Sequence, residues 1–177
     1  MYEIEIKAYC DDIGTFTQKL IGMGAEMKHE LYQKDIYFSH PMRDFRETDE
    51  AFRIRTVNGV SSVTYKGPKL STKTKTRVEY ETTVGSFDSI FAILRNLGFV
   101  EGGLVEKTRI EYVLEEVTVC IDSVTGLGDF VELEKIGTDI ETTERHLFDL
   151  ADRLGLDRFE KRSYLNLITD SVDERRA

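Results

Sequence analysis

Glu3, Glu5 and Lys7 occupy alternate positions at the start of the chain, with Ile4 and Ile6 between them. In a β-strand successive side chains point to opposite faces, so the two carboxylates and the ammonium share one face. Seen once, such a face is an ordinary solvated one. The spacing recurs, however, at Arg53/Arg55, Arg77/Glu79/Glu81, Lys107/Arg109/Glu111 and Glu132/Glu134, with Thr64/Lys66 as a weaker case. Apolar or β-forming residues such as Ile54, Tyr65, Val78, Ile110 and Leu133 fill the intervening positions. Repeated Arg-x-Arg and Lys-x-Arg pairs suit bidentate binding of an anion better than they suit a wet sheet face. Lys7, Arg53, Arg55, Lys66, Arg77, Lys107 and Arg109 would concentrate positive charge. Glu3, Glu5, Asp122, Glu132 and Glu134 would offer hard oxygen ligands, the kind that hold Mg²⁺ or Mn²⁺ rather than Zn²⁺. A polyphosphate carrying a divalent metal satisfies both sets at once; a metal-free sugar or peptide does not.

These side chains need elements to hold them. Asp11 and Asp12 can cap a helix over Ile13, Phe16, Leu20 and Ile21 that ends at Gly22 and Gly24. Residues 32–38 read as a strand, followed by a loop around Pro41. Asn58-Gly59 marks a hairpin between strands at 52–57 and 61–66, and Gly67-Pro68 is expected to break the second of these. Lys69, Lys73 and Lys75 then form a basic loop, either a solvated connection or a lid over an anion. A strand at 77–84 leads to a Ser86-capped helix with the stripe Phe87, Ile90, Phe91, Leu94 and Leu97. Strands are expected at 105–114, 117–124 and 130–136, a third helix from about Thr142 to Gly155, and a last strand at 161–168. An acidic alternating strand, a glycine-closed helix and a return strand recur from Glu3, Arg77 and Phe130, which suggests three related units.

With 177 residues, this is one domain with at most a modest elaboration. A net charge of −9 argues against a nucleic-acid binder, which needs a basic excess, so any cationic site must be local and enclosed. Cys10 and Cys120 lack metal-ligand or redox spacing and read as two buried thiols of a reducing compartment. His29, His40 and His146 fall outside the alternating motifs and read as surface or structural residues. No leader-like or membrane-spanning run is evident, which points to a cytoplasmic protein.

The helices' apolar stripes must cover the apolar face of the sheet. Its charged face then looks at bulk water, or at itself across a closed barrel of about eight strands, wide enough for side chains or one small ligand. Enclosing so much charge is costly unless the groups pair with one another or with a bound ion.

The motifs Glu3-x-Glu5-x-Lys7, Arg53-x-Arg55, Thr64-x-Lys66, Arg77-x-Glu79-x-Glu81, Lys107-x-Arg109 and Asp122-x-x-x-Gly126-Leu127-Gly128-x-Phe130-x-Glu132-x-Glu134 appear in that order. In this the chain resembles the CYTH superfamily, the triphosphate tunnel metalloenzymes, from Glu3 to about Tyr164. The stretches 37–45, 48–55 and 64–69 are most similar to its class IV adenylyl cyclase branch. The resemblance implies an α+β fold: a closed antiparallel eight-stranded barrel with α-helices outside, spanning residues 1–170 before a charged tail at 171–177. It also implies a homodimer and metal on Glu3, Glu5, Asp122, Glu132 and Glu134. The triphosphate would be gripped by Lys7, Arg53, Arg55, Lys66, Arg77, Lys107 and Arg109, with Glu5, Lys107 and Arg109 closest to the chemistry. Thr125 departs from the histidine common before Gly-Leu-Gly in the family. The implied activity is conversion of ATP to cyclic AMP and pyrophosphate with Mg²⁺ or Mn²⁺. Hydrolysis of inorganic or thiamine triphosphate, or non-catalytic binding of a polyphosphate or nucleotide, are the alternatives.

Overall fold

The structure, a computed structural model, describes residues 2–71 and 73–174. In chain order the elements are β1 (Tyr2–Tyr9), α1 (Ile13–Gly22), β2 (Glu26–Ser39), β3 (Ala51–Val57), β4 (Val60–Lys69) and β5 (Arg77–Val84). They continue with α2 (Phe87–Asn96), β6 (Val100–Leu114), β7 (Val117–Val124), β8 (Gly128–Gly137), α3 (Ile140–Leu154) and α4 (Tyr164–Glu174). The eight strands close into a barrel in the order β1-β5-β4-β3-β2-β6-β7-β8, and every neighbouring pair is antiparallel.

Local chemistry sets the element ends. Asp12, Ser86 and Asp139 each cap a helix by accepting from the backbone N–H three residues on, and Gly155 closes α3 at a φ of 82°. Asn58 and Gly59 both have positive φ in the two-residue turn between β3 and β4. Gly67-Pro68 does not break β4 as expected. The strand runs on to Lys69 through a register shift between Lys66 and Lys69, which is how a ladder accommodates a residue with no N–H to donate.

The expected repeat of three units reduces to two. Because every neighbour is antiparallel, β1 and β2 run the same way, as do β5 and β6. The halves β1-α1-β2-β3-β4 and β5-α2-β6-β7-β8 therefore have matching topology, related in barrel order by a two-fold rotation across the bore. Among the described residues no return strand follows β8: of the segment expected to be one, 161–168, residues 164–168 belong to α4. Its apolar residues Tyr164, Leu165, Leu167 and Ile168 satisfy helical spacing, and short apolar runs are ambiguous between the two periods. A closed barrel also leaves no strand edge to pair with. The same helix runs through the 170/171 boundary at which a tail was expected; residues 175–177 of that tail lie outside the described residues.

The apolar face of the sheet points outward beneath the helices. Helices α1 and α3 cover Ile4, Ile6, Val119, Ile121, Val131 and Leu133 with Phe16, Leu20, Leu147 and Leu150. Leu94 of α2, with Phe91 beside it, packs on Phe38 and Ile54; α4 differs, its Tyr164 and Leu167 packing on Val105, Val124 and Phe130, which share the inward face of Lys107, Asp122 and Glu132, so that this helix borders the bore. Each such side chain contributes roughly 1.5–3 kcal/mol on burial, so the outer shell fixes the barrel and frees its inner face for charge. Cys10 and Cys120 are buried free thiols. Among the described residues, no helix is long and apolar enough to cross a membrane.

The barrel has one thin seam. β1 pairs with β8 from Tyr2↔Gly137 to Tyr9↔Phe130, yet with β5 through a single register pair, Glu3↔Arg77.

Candidate active site

The inward faces enclose a cavity of about 710 Å³. Glu3, Glu5, Arg53, Arg55, Lys66, Arg77, Lys107, Arg109, Glu132 and Glu134 all line it, so strands distant in sequence do share one bore. Two expected residues do not line it. Lys7 is 1% exposed and donates to the Arg162 carbonyl, with its Nζ 4.0 Å from the centre of the Tyr164 ring. Asp122 is fully buried behind the cations it serves. The three histidines stay off the cavity lining, as does Thr125.

The five expected metal ligands divide into two groups. Glu3 and Glu5 of β1 and Glu134 of β8 bring carboxylate oxygens within 4.8 Å of one another. The Glu5↔Glu134 register pair explains why. Burial, with Glu79 and Glu134 nearby, pushes the Glu3 carboxyl up to about 7. Burial and the neighbouring Glu132 raise Glu5 as well. Such crowding of hard oxygen donors is unfavourable on its own and is relieved by a divalent cation, so Glu3, Glu5 and Glu134 fit Mg²⁺ or Mn²⁺.

Asp122 and Glu132 have cations of their own. Asp122 accepts from Lys107 Nζ at 2.7 Å, from Arg109 Nε and Nη2 at 2.6 and 2.7 Å, and from the Tyr164 hydroxyl at 2.8 Å. Glu132 accepts from Arg109 and, at 3.2 Å, from Lys75. Although burial opposes their charge, these cations hold both carboxyls below the ordinary range. Without a metal, Asp122 and Glu132 serve these cations as counter-ions; Glu5 and Glu134 are paired as well, with Lys75 and, at 3.1 Å, with Arg109.

Across the bore, Asp35 of β2 organises the arginines of β3. Its carboxylate accepts from Arg55 Nε and Nη2, both at 2.7 Å, and from Arg53 Nη1 at 3.1 Å. Against the effect of burial, Arg53 and Arg55 bring the Asp35 carboxyl down to about 2. Lys66 pairs with Glu79 at 2.6 Å, and Arg77 stands 3.9 Å from Asp49. Among the described residues, Arg53 Nε and Gln33 Oε1 are buried polar atoms with no partner.

Sequence reasoning gave no site role to Asp35, Tyr37 or Tyr164, and it left Lys75 in a basic loop without partners. Asp35 and Tyr37 follow the same alternate spacing on β2 as the recognised motifs, and Gln33-x-Asp35-x-Tyr37 could have revealed them. Tyr164 enters from α4, a helix read as a strand. Lys75 reaches Glu5 and Glu132 from the 70–76 loop, and no strand period could have announced it.

Comparison with known proteins follows this geometry. The CYTH domain family model matches residues 1–164. A Methanocaldococcus jannaschii protein, whose name gives adenylate cyclase as a provisional activity, is 39% identical over 172 residues, covering 94% of this chain and 98% of that protein. Adenylate cyclase CyaB of Aeromonas hydrophila is 31% identical over 180 residues, covering 97% of this chain and 91% of that one. Among solved structures, the PH1819 protein of Pyrococcus horikoshii superposes with a TM-score of 0.89 at 39% identity, over 96% of this chain and 99% of its own.

Proposed function

The chain belongs to the CYTH family, and from that membership we propose that it is a metal-dependent adenylyl cyclase acting on ATP inside the bore. The observation that carries this reading is a carboxylate triad facing a wall of guanidinium and ammonium groups across one cavity. A nucleoside triphosphate with its divalent cation complements both sides.

In this reading the ATP 3′-hydroxyl attacks the α-phosphorus, the new O3′–P bond forms, and the bond to the β-phosphate oxygen breaks. The pyrophosphate departs with the electron pair, and the hydroxyl proton is lost to solvent. Glu3, Glu5 and Glu134 would hold a divalent cation, which would screen phosphate charge and make the hydroxyl a better nucleophile. Arg53, Arg55, Lys66 and Arg77 grip the phosphates. Lys107 and Arg109, oriented by Asp122, meet the charge that develops on the leaving group. Preset ion pairs mean that these donors need little reorganisation when the charge moves.

Purified protein incubated with ATP and Mg²⁺ or Mn²⁺ tests the reading directly. Cyclic AMP and pyrophosphate in equal amounts are expected. ADP with phosphate, or turnover of inorganic tripolyphosphate alone, would reject cyclisation and assign the bore to hydrolysis.

A further inference from the structure

Lys75 reaches the bore from the loop between β4 and β5, and its partners connect it to the carboxylate triad. Its Nζ bonds Glu5, a triad member, and reaches Glu132 at 3.2 Å. Burial opposes the charge, but Glu5 and Glu132 outweigh it and hold Lys75 as an ammonium. Lys7 stands beside it as a like charge.

The loop is firmly attached to the outside of the barrel. Thr74 and Thr76 are 4% and 0% exposed, with their hydroxyls 2.6 Å apart. Ser71 and Thr74 both donate to the buried carboxylate of Glu144 on α3, Thr74 at 2.8 Å. The Lys75 N–H donates to the Glu5 carbonyl at 3.0 Å, which supplements the single β1–β5 register pair. The main chain is therefore pinned while the side chain retains the rotatable stem of a lysine. In the loop expected to be a solvated connection or a lid, Ser71, Thr74 and Lys75 are held by these contacts while Lys73 is exposed.

We propose that Lys75 is a tethered counter-cation that neutralises Glu5 and Glu132 in the metal-free protein and transfers to a phosphate oxygen of the substrate when a divalent cation takes Glu5. The inference rests on the reading of the bore as a metal–triphosphate site. A divalent cation and an ammonium compete for the same Glu5 oxygens, and like charges on one carboxylate repel. Displaced from Glu5, the buried ammonium keeps only Glu132, which it shares with Arg109, and a phosphate oxygen arriving in the bore supplies the second anion that Glu5 had been. Metal and triphosphate then bind cooperatively, with Lys75 as the connection between them.

The test compares wild type with Lys75→Met and Lys75→Arg in the full chain, each checked for folding by circular dichroism. Mn²⁺ binding is read from the paramagnetic resonance of free Mn²⁺. Binding of a methylene-bridged tripolyphosphate analogue in the presence of Mn²⁺ is read by calorimetry. Removal of one competing charge should make Lys75→Met bind Mn²⁺ roughly tenfold more tightly and the analogue roughly tenfold more weakly, with Lys75→Arg returning towards wild type. Opposite signs are the signature of the exchange, and any other combination overturns it: both weaker or both unchanged means a pin of the seam, and tighter Mn²⁺ with an unchanged analogue means a competitor that never reaches phosphate. Wild type that binds neither probe overturns the reading of the bore itself. Should Lys75→Met fail to fold, the wild-type Lys75 ¹⁵Nζ resonance, assigned with Lys75→Arg, must shift on adding Mg²⁺ and again on adding the analogue; a resonance that stays put overturns the exchange.

Discussion

Asp122→Asn separates a structural counter-ion from a metal ligand. Asp122 is 0% exposed and accepts four hydrogen bonds from Lys107, Arg109 and Tyr164. Asparagine keeps the shape but loses the charge, and its amide N–H₂ faces donors instead of offering an acceptor. Two cations about 4 Å away attract the carboxylate by about 4 kcal/mol each at an effective dielectric of 20, before any rearrangement. Relaxation and water entry reduce this, so a net loss of about 3–5 kcal/mol is expected, the range for breaking one side of a buried pair. With a urea slope of about 2 kcal/mol per M, the unfolding midpoint should fall by about 2 M, measured by circular dichroism. Under conditions where the variant is folded, its Mn²⁺ affinity should change less than about tenfold, because Asp122 lies outside the triad. A midpoint shift below about 0.5 M combined with a hundredfold loss of Mn²⁺ affinity would refute the reasoning and return Asp122 to the metal set.

Other perturbations give distinct readouts. Arg55→Ala leaves Asp35 paired with Arg53, so it should weaken triphosphate binding by about 2 kcal/mol, roughly thirtyfold, with little change in the unfolding midpoint; unchanged calorimetric affinity would remove Arg55 from the site. With Glu3 near 7 chiefly through burial, Mn²⁺ affinity should rise from pH 6 to pH 8, whereas Glu3→Gln should bind more weakly with a flatter profile. The same raised carboxyl keeps its proton in the folded state above its unfolded value, so the metal-free protein should lose stability as pH rises from 4.5 to about 7; a metal-free urea midpoint that climbs across this window would contradict the assignment. Asp35 shows the opposite sign: its carboxyl is depressed to about 2, so its contribution of about 2 kcal/mol is present above the unfolded value and disappears as pH falls through the folded one. Asp35→Asn should flatten that acid limb in pH-dependent urea titrations.

Alternation carried most of the fold. Ile4 and Ile6 against Glu3, Glu5 and Lys7 fixed which face of β1 met the helices, and the same logic placed Arg53, Arg55, Lys107, Arg109 and Glu134 on one bore. Strand period says which face a residue takes, but not its depth along the barrel or who stands beside it. Lys7 shares the inward face of Glu5, yet it ends under Tyr164, and Asp122 shares the face of the cations that cover it. Helix α4 was misread because its four apolar residues fit either period, and Lys75 was out of reach because a loop's path depends on contacts such as those to Glu144. The register shift past Gly67-Pro68 was missed for a related reason, since a turn signal in sequence cannot show that a partner strand carries the ladder through.

A crystal of the protein grown with Mn²⁺ and a methylene-bridged ATP analogue, measured at the manganese absorption edge, tests the central claim most directly. The account predicts an anomalous peak among Glu3, Glu5 and Glu134, with the three phosphates in the bore against Arg53, Arg55, Lys107 and Arg109. A manganese peak elsewhere, or phosphates bound on the outer surface of the barrel, would contradict it.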